Sequence, residues 1–399
     1  MARGSGGAAD SGAGVTMAAT VTADSVDALR DRVRDAADRQ VSLRVIGRGK
    51  WLDAGRPVSA TESISTRELA GITEYVPGDL TLTARAGTTL EEIRLATAEH
   101  DQWLALDPYG SDDGTLGATI ATASAGPLST SFGTPRDLVL GLEFVTGEGV
   151  VVRGGGRVVK NVAGFDLTRL LTGSWGTIGV ITEATVRLHA RPEADESIVV
   201  PLDDNDGASR ARELLRRLPF SPYAFEIINA TLARRLIAMD RVAAVIRLGG
   251  NRLGVNAQRA AFETLGSVSP IDADVWRRLR TSEGDGAMVF RLSARPSDIG
   301  RVWHEASSIA EECPGTMLAA TPARGIVRCI VPKTAHCVSV LQRAWGGHDS
   351  GIARIGERLP VELWSSCSPN PTQDRISAGI KRTFDPHGLL NRGIFGGGA

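Results

Sequence analysis

Cysteine is scarce in this 399-residue chain and nowhere arranged for a metal. Cys313, Cys329, Cys337 and Cys367 are spread through the last third without a C-x-x-C pair, so neither an iron–sulfur cluster nor a zinc knuckle is supported, and reduced thiols are the plain reading. No apolar run is long enough to span a bilayer. Residues 1–20, rich in Gly, Ala and Ser, lack the basic start and apolar run of a signal peptide and read as a disordered leader. A net charge of -1 lacks the clustered basic excess that nucleic acid or an anionic membrane surface would demand. Lysine is rarer still: only Lys50, Lys160, Lys333 and Lys381 occur, so nearly all positive charge is arginine. Lys50 and Lys160 each lie in a glycine-containing segment, where a compact ammonium either meets a phosphate or stands as an ordinary exposed side chain. No histidine precedes His100, and the remaining five, His189, His304, His336, His348 and His387, do not cluster at a useful spacing.

What the chain does have is enough length for two domains, with 42% hydrophobic and 23% charged residues, a soluble globular balance. Val26, Leu29, Val33 and Ala36 have helical spacing, with Ser25 as a candidate cap. A short strand over 41–46 runs into Gly47-Arg48-Gly49-Lys50, the step at which a phosphate loop would sit. Thr81 to Ala86 alternates as a strand, and a helix over 90–100 follows with Thr88 or Thr89 at its cap. Trp103 to Pro108 reads as a buried strand ended by a proline, and the Asp107-Pro108 corner is either simple turn chemistry or part of a ligand site. Leu138–Val145 and Val150–Arg153 flank a hairpin turn, and 178–188 reads as a half-buried strand. Beyond Arg191-Pro192 the composition turns acidic and polar, which marks a boundary; strands and helices then alternate, predicting an α+β unit on an antiparallel sheet. Arg247 and Arg291 lie in two of those strands, where an inward arginine clamps a carboxylate or a solvated face carries it.

The most informative stretch runs from Gly154 to Ile181 and combines glycine turns, Lys160 and an apolar strand. Glycines let backbone approach a ligand closely, and free N–H groups beside a cation suit a diphosphate. With Gly114-Thr115-Leu116-Gly117-Ala118-Thr119-Ile120-Ala121, Ala125-Gly126-Pro127, the segment Arg136 to Phe144, and Phe384 to Asn391, it resembles the flavin-binding domain of the vanillyl-alcohol oxidase or PCMH type. More narrowly it is similar to the FAD-binding E-subunit family of bacterial glycolate oxidase. A nicotinamide-binding Rossmann domain is excluded, because no G-x-G-x-x-G opens a helix after the first strand.

That resemblance implies an α+β fold with a two-part PCMH-type FAD-binding domain over 21–195, an inserted α+β cap over 196–365, and a C-terminal segment, 366–399, returning to the first domain. It implies FAD bound through Gly47, Gly49, Lys50, Pro108, Gly114, Thr115, Gly117, Ala118, Ala123, Ser124, Gly126 and Lys160, with Gly176, Gly179, Val180 and Ile181 near the adenine end. Arg48 interrupts a loop that is richer in glycine in the family. Some superfamily members attach flavin through a histidine in the first loop; none stands here, so noncovalent FAD is expected. The His-x-Gly-Asp-Gly-Asn-x-His segment of related catalytic subunits is missing too, and no catalytic residue is assigned. The implied function is a flavin subunit of a 2-hydroxy-acid dehydrogenase, cytoplasmic or peripheral to the membrane through its partners, a larger flavin subunit and an iron–sulfur subunit. The competing reading is a flavin-holding or assembly subunit without a substrate site.

Overall fold

A computed structural model describes residues 20–110, 113–156, 165–202, 207–346, 351–367 and 375–396. Of the leader expected over 1–20, residues 1–19 lie outside the described residues, as does Lys160, while Thr20 begins a strand. The chain opens with a parallel unit in which Thr20–Thr22 and Leu43–Ile46 both pair with Glu62–Ser65. Parallel strands need a crossover, and the helix Val26–Asp38 provides one. Ser25 caps it by accepting from the Ala28 N–H at 3.2 Å. Its buried stripe of Leu29, Val33 and Ala36 packs on Leu43 and Ile64, and also on Val145 and Val180 of a second sheet.

That second sheet has five antiparallel strands in the order Ile72–Val76, Thr81–Arg85, Val180–Arg187, Val139–Val145, Val151–Gly155. The helix Leu90–Ala98 starts from a capping box between Thr89 and Glu92, and the helix Leu116–Thr122 lies against the end of Thr81–Arg85. Gly117 permits that approach. A Cβ there would stand 2.6 Å from the Ala86 Cβ and 3.0 Å from the Ala86 carbonyl oxygen. The strand expected over 103–108 is not formed: only Gln102–Trp103 pairs, with His189–Ala190. Beyond it the backbone partners change, because Arg280 donates to the Pro108 carbonyl at 3.0 Å and accepts from the Gly110 N–H at 2.9 Å.

The third sheet has eight strands, all antiparallel, in the order Ser269–Ile271, Ala194–Pro201, Ala243–Gly250, Ala224–Ile228, Met317–Thr321, Ile326–Val331, Met288–Ser293, Ala353–Arg358. Strand periodicity divides its residues between two cores. Ile198, Phe225, Ile246, Phe290 and Cys329 face the helices Arg252–Phe262, Ile299–Glu312 and Ala335–Trp345. Val199, Ala224, Val245, Val289 and Ile330 face the opposite way, onto Ala230–Ile237 and Val275–Arg280. By the same parity Glu226, Arg247, Arg291 and Arg328 belong to that second face.

The tail returns to the first sheet. Leu43 pairs in parallel with Leu390, the Leu43 N–H donates to the Leu389 carbonyl at 2.9 Å, and the Asn391 N–H donates to the Leu43 carbonyl at 2.9 Å. Asp385, 1% exposed, organises this turn by accepting from the N–H groups of Leu389 (3.1 Å) and Leu390 (2.9 Å) and from Lys381. Asp385→Ala strands two buried amides and an ammonium. It should cost about 3 kcal/mol in urea unfolding, the scale of breaking a buried ion pair.

Candidate functional site

Residues 44–52, residues 114–122 and residues 175–181 line a cleft that is open to solvent. Its walls hold Gly47, Gly49, Lys50, Gly114, Thr115, Gly117, Ala118, Gly176, Gly179, Val180 and Ile181, so these expected residues are brought together. Ala123, Ser124 and Gly126 lie beyond the wall, on the segment leaving the helix Leu116–Thr122. Pro108 lines a separate groove with Trp103, Asp107, Arg247 and Arg280. Sequence reasoning missed Trp51, Trp175 and Asn391, which complete the cleft; Trp51 and Trp175 meet edge to face at 6.1 Å.

The cleft floor presents backbone donors. Backbone N–H groups of Gly47, Arg48, Gly49 and Lys50 make no hydrogen bond to protein among the described residues. Gly49 has φ +78°, which lets successive amides converge, and the Lys50 ammonium stands 3.1 Å from Asp113. The donor set of free amides, a lysine, Arg44 and Arg48 fits a diphosphate, while the apolar walls of Val45, Val58, Ala121 and Ile181 fit a fused aromatic ring system. Asn391 holds the cleft closed at the tail side: its side chain accepts from the Val45 N–H at 2.8 Å and donates to the Trp175 carbonyl at 2.6 Å.

Beside the cleft, the charged face of the eight-stranded sheet meets the loops of the first unit. Arg358 leaves its strand to donate to Asp53 at 3.0 Å and to the Lys50 carbonyl at 3.3 Å, lies 5.3 Å over Trp51, and pairs with Glu283. Arg328, 3% exposed, pairs with Glu283 and with Glu357 (2.7 Å) and stacks 4.1 Å over Tyr109. Burial alone would raise the Glu357 carboxyl, but Arg328 and Arg291 outweigh it and hold it below the ordinary range. The two arginines raised from sequence already have partners: Arg291 pairs with Glu357 at 2.8 Å, and Arg247 grips Asp195 at 2.9 and 2.6 Å.

Two other carboxyls here are pushed up. Burial raises Asp107 to about 6 against the pull of Arg280, and raises Glu226, fully buried, to about 8. Thr321 donates to Glu226 Oε1 at 2.7 Å, and Oε2 has no partner. Glu226 could have been found from sequence, because Ala224-Phe225-Glu226-Ile227-Ile228 is a strand with one charge in an apolar run, and such a charge must be neutralised or matched.

Residues 17–155 match the family model described as FAD binding domain. The glycolate oxidase subunit GlcE of Escherichia coli is 34% identical over 93% of this chain and 97% of its own length. This chain belongs to the GlcE family. The D-lactate dehydrogenase of Archaeoglobus fulgidus is 26% identical over 90% of this chain and 86% of its own length. The fold is shared with p-cresol methylhydroxylase, with a TM-score of 0.73, 17% identity, and coverage of 95% of this chain and 88% of that one. The PCMH-type architecture and the FAD-binding family membership agree with the resemblance drawn from the glycine segments. Among the described residues no helix is long and apolar enough to cross a membrane.

Glu226 sets a pH dependence. Its folded value lies above its ordinary 4.5, so between about 4.5 and 8 the folded chain keeps a proton that the unfolded chain releases, and stability falls as pH rises through that window. Urea unfolding of Glu226→Gln should show this slope flattened, with the variant gaining on the native chain from pH 5 towards pH 8. Parallel curves would mean that Glu226 is ionised in the fold.

Proposed function

We propose that this chain is the FAD-holding subunit of a glycolate oxidase-like 2-hydroxy-acid oxidoreductase, which hands electrons on to a partner. The observation that carries this reading is the cleft, where eleven of the expected contact residues converge around four free amides. In this reading residues 21–195 and 366–399 form the FAD-binding part and 196–365 the cap. FAD, held noncovalently, supplies a two-electron acceptor when bound.

The protein's share is positioning and shielding. Gly47 to Lys50 would receive the diphosphate through backbone donors, and Arg44 and Arg48 add charge without a fixed demand on geometry. Trp51, Trp175 and Ile181 exclude water from the walls. Ala123, Ser124, Gly126 and Pro108 stand on the corner that leads from the cleft to the charged seam, where the reacting end of a cofactor would be approached. Electrons would leave through a larger flavin subunit and an iron–sulfur subunit; the name of the GlcE relative as a subunit supports an assembly of several chains, and the cysteines here hold no cluster of their own among the described residues. Cys313, Cys329 and Cys337 are buried in the apolar core of the eight-stranded sheet, where they pack as small hydrophobes.

Gly117 is a poor probe of flavin contact, since its missing Cβ makes room for Ala86. Ala118 is better, because it lines the cleft itself. Ala118→Trp should fold and lose most bound flavin, an affinity drop of at least about tenfold by loss of room, read from the visible absorbance per chain. Full flavin content in the variant takes Ala118 out of the site. The function is tested by the visible spectrum of the purified chain, then by anaerobic glycolate and D-lactate. Yellow protein bleached by one acid establishes a dehydrogenase competent alone. Bleaching by neither, but by one after the partner subunits are added, supports the relay reading, and colourless folded protein sinks the FAD assignment.

A further inference from the structure

The loop that presents the four backbone donors gains no support through them. From Gly47 to Lys50 its N–H groups make no hydrogen bond to protein among the described residues, so its path must be fixed through its carbonyls and side chains. Three of its carbonyls accept from side chains: Gly47 from the Ser65 hydroxyl at 2.9 Å, Leu52 from Arg44, and Lys50 from Arg358 at 3.3 Å. Arg44 and Ser65 belong to the parallel strands beside the loop. Arg358 comes from elsewhere: it ends the strand Ala353–Arg358, an edge of the eight-stranded sheet, and it is not among the residues that line the cleft.

Each nitrogen of that guanidinium has its own partner. Nε donates to Asp53 at 3.0 Å, Nη2 donates to the Lys50 carbonyl, and Nη1 pairs with Glu283. Two of the three partners are on the loop, and the third also pairs with the sealed Arg328. A planar fork that engages all three at once fixes the loop in distance and angle against the sheet, which a flexible point charge would not do. The same guanidinium lies 5.3 Å over the ring of Trp51, which lines the cleft together with its edge-to-face neighbour Trp175. Beyond Asp53 the Gly55 N–H donates to the Glu357 carbonyl at 2.7 Å, so loop and strand end are joined through backbone as well.

We propose that Arg358 is the positioning residue of this loop: reaching in from the eight-stranded sheet, it holds residues 50–53 on the path that aims the amides of Gly47 to Lys50 at a bound diphosphate, so that cofactor retention depends on a residue outside the cleft. The identity of the guest rests on the flavin reading above; the hold on the loop does not. Linkage makes the effect mutual. A diphosphate that favours this loop conformation must strengthen the grip of Arg358 on the loop by the same factor that the grip strengthens binding.

FAD affinity is measured by flavin fluorescence on the full chain stripped of flavin, for the native protein, Arg358→Met, Arg358→Lys, Asp53→Asn and the double variant of Arg358→Met with Asp53→Asn. Trypsin cleavage after Arg48 and Lys50 is timed in the same flavin-free chains by mass spectrometry. Arg358→Met should bind FAD about tenfold more weakly and be cut several-fold faster in the loop. Arg358→Lys should lie between, since an ammonium keeps the charge but not the fork. Asp53, like Arg358, does not line the cleft, so Asp53→Asn should weaken binding in the same direction, and the double variant should be no worse than Arg358→Met because both act through one contact. A folded Arg358→Met variant with native FAD affinity, or losses that simply add in the double variant, overturns the proposal and leaves the flavin reading standing. A native chain that takes up no FAD sinks the flavin reading, and the cleavage times then decide alone: faster cutting in Arg358→Met supports the positioning role, and unchanged cutting overturns it. Should Arg358→Met fail to fold, Asp53→Asn takes its place, and native FAD affinity with native cleavage times overturns the proposal.

Discussion

Charge matching across one seam is the constraint on which the rest of this molecule depends. Arg328 is nearly sealed from solvent, and a bare guanidinium there would be prohibitive. Glu283 and Glu357 make it tolerable, and their second oxygens reach Arg358 and Arg291. The network is continuous with the cleft loop, because Arg358 also holds Asp53 and the Lys50 carbonyl, and the Gly55 N–H donates to the Glu357 carbonyl at 2.7 Å. The shape of the cleft loop is therefore set by residues some 300 positions away in the chain, as the separation of 305 between Arg358 and Asp53 shows.

The same matching gives the seam its chemistry. Glu357, inside the network, is held below the ordinary carboxylate range by Arg328 and Arg291, whereas Asp107 and Glu226, outside it, are raised by burial. Two populations of carboxyl within one interface let the fold use some as counter-ions and leave another neutral. Such separation of protonation states is what active sites employ, and it costs no extra residue types.

The cleft was largely legible in the sequence and the seam was not, for a physical reason. Gly114 to Ala118 and Gly176 to Ile181 act through backbone, so their composition announces close approach without knowledge of the partner. The strand and helix alternation of the cap was legible for the same local reason, including Ala224–Ile228. The seam is assembled from single charges in separate apolar strands, such as Arg328 in Ile326-Val327-Arg328-Cys329-Ile330-Val331, whose partners are set by sheet order. Arg247 and Arg291 each clamp a carboxylate, but one that the protein itself supplies from a neighbouring strand. The run from Leu104 to Pro108 misled because apolar residues can fill a corner as well as a strand.

Asn391 joins Val45 to Trp175, and the Val45 contact spans 346 positions of sequence. Chain synthesis proceeds from one end, so this tie cannot form until residue 391 has been made, although most of the cleft wall is made within the first half of the chain. Until then the strand Leu43–Ile46 lacks its tail-side partner Leu390, and the closing of the cleft is a late event in the life of the polypeptide.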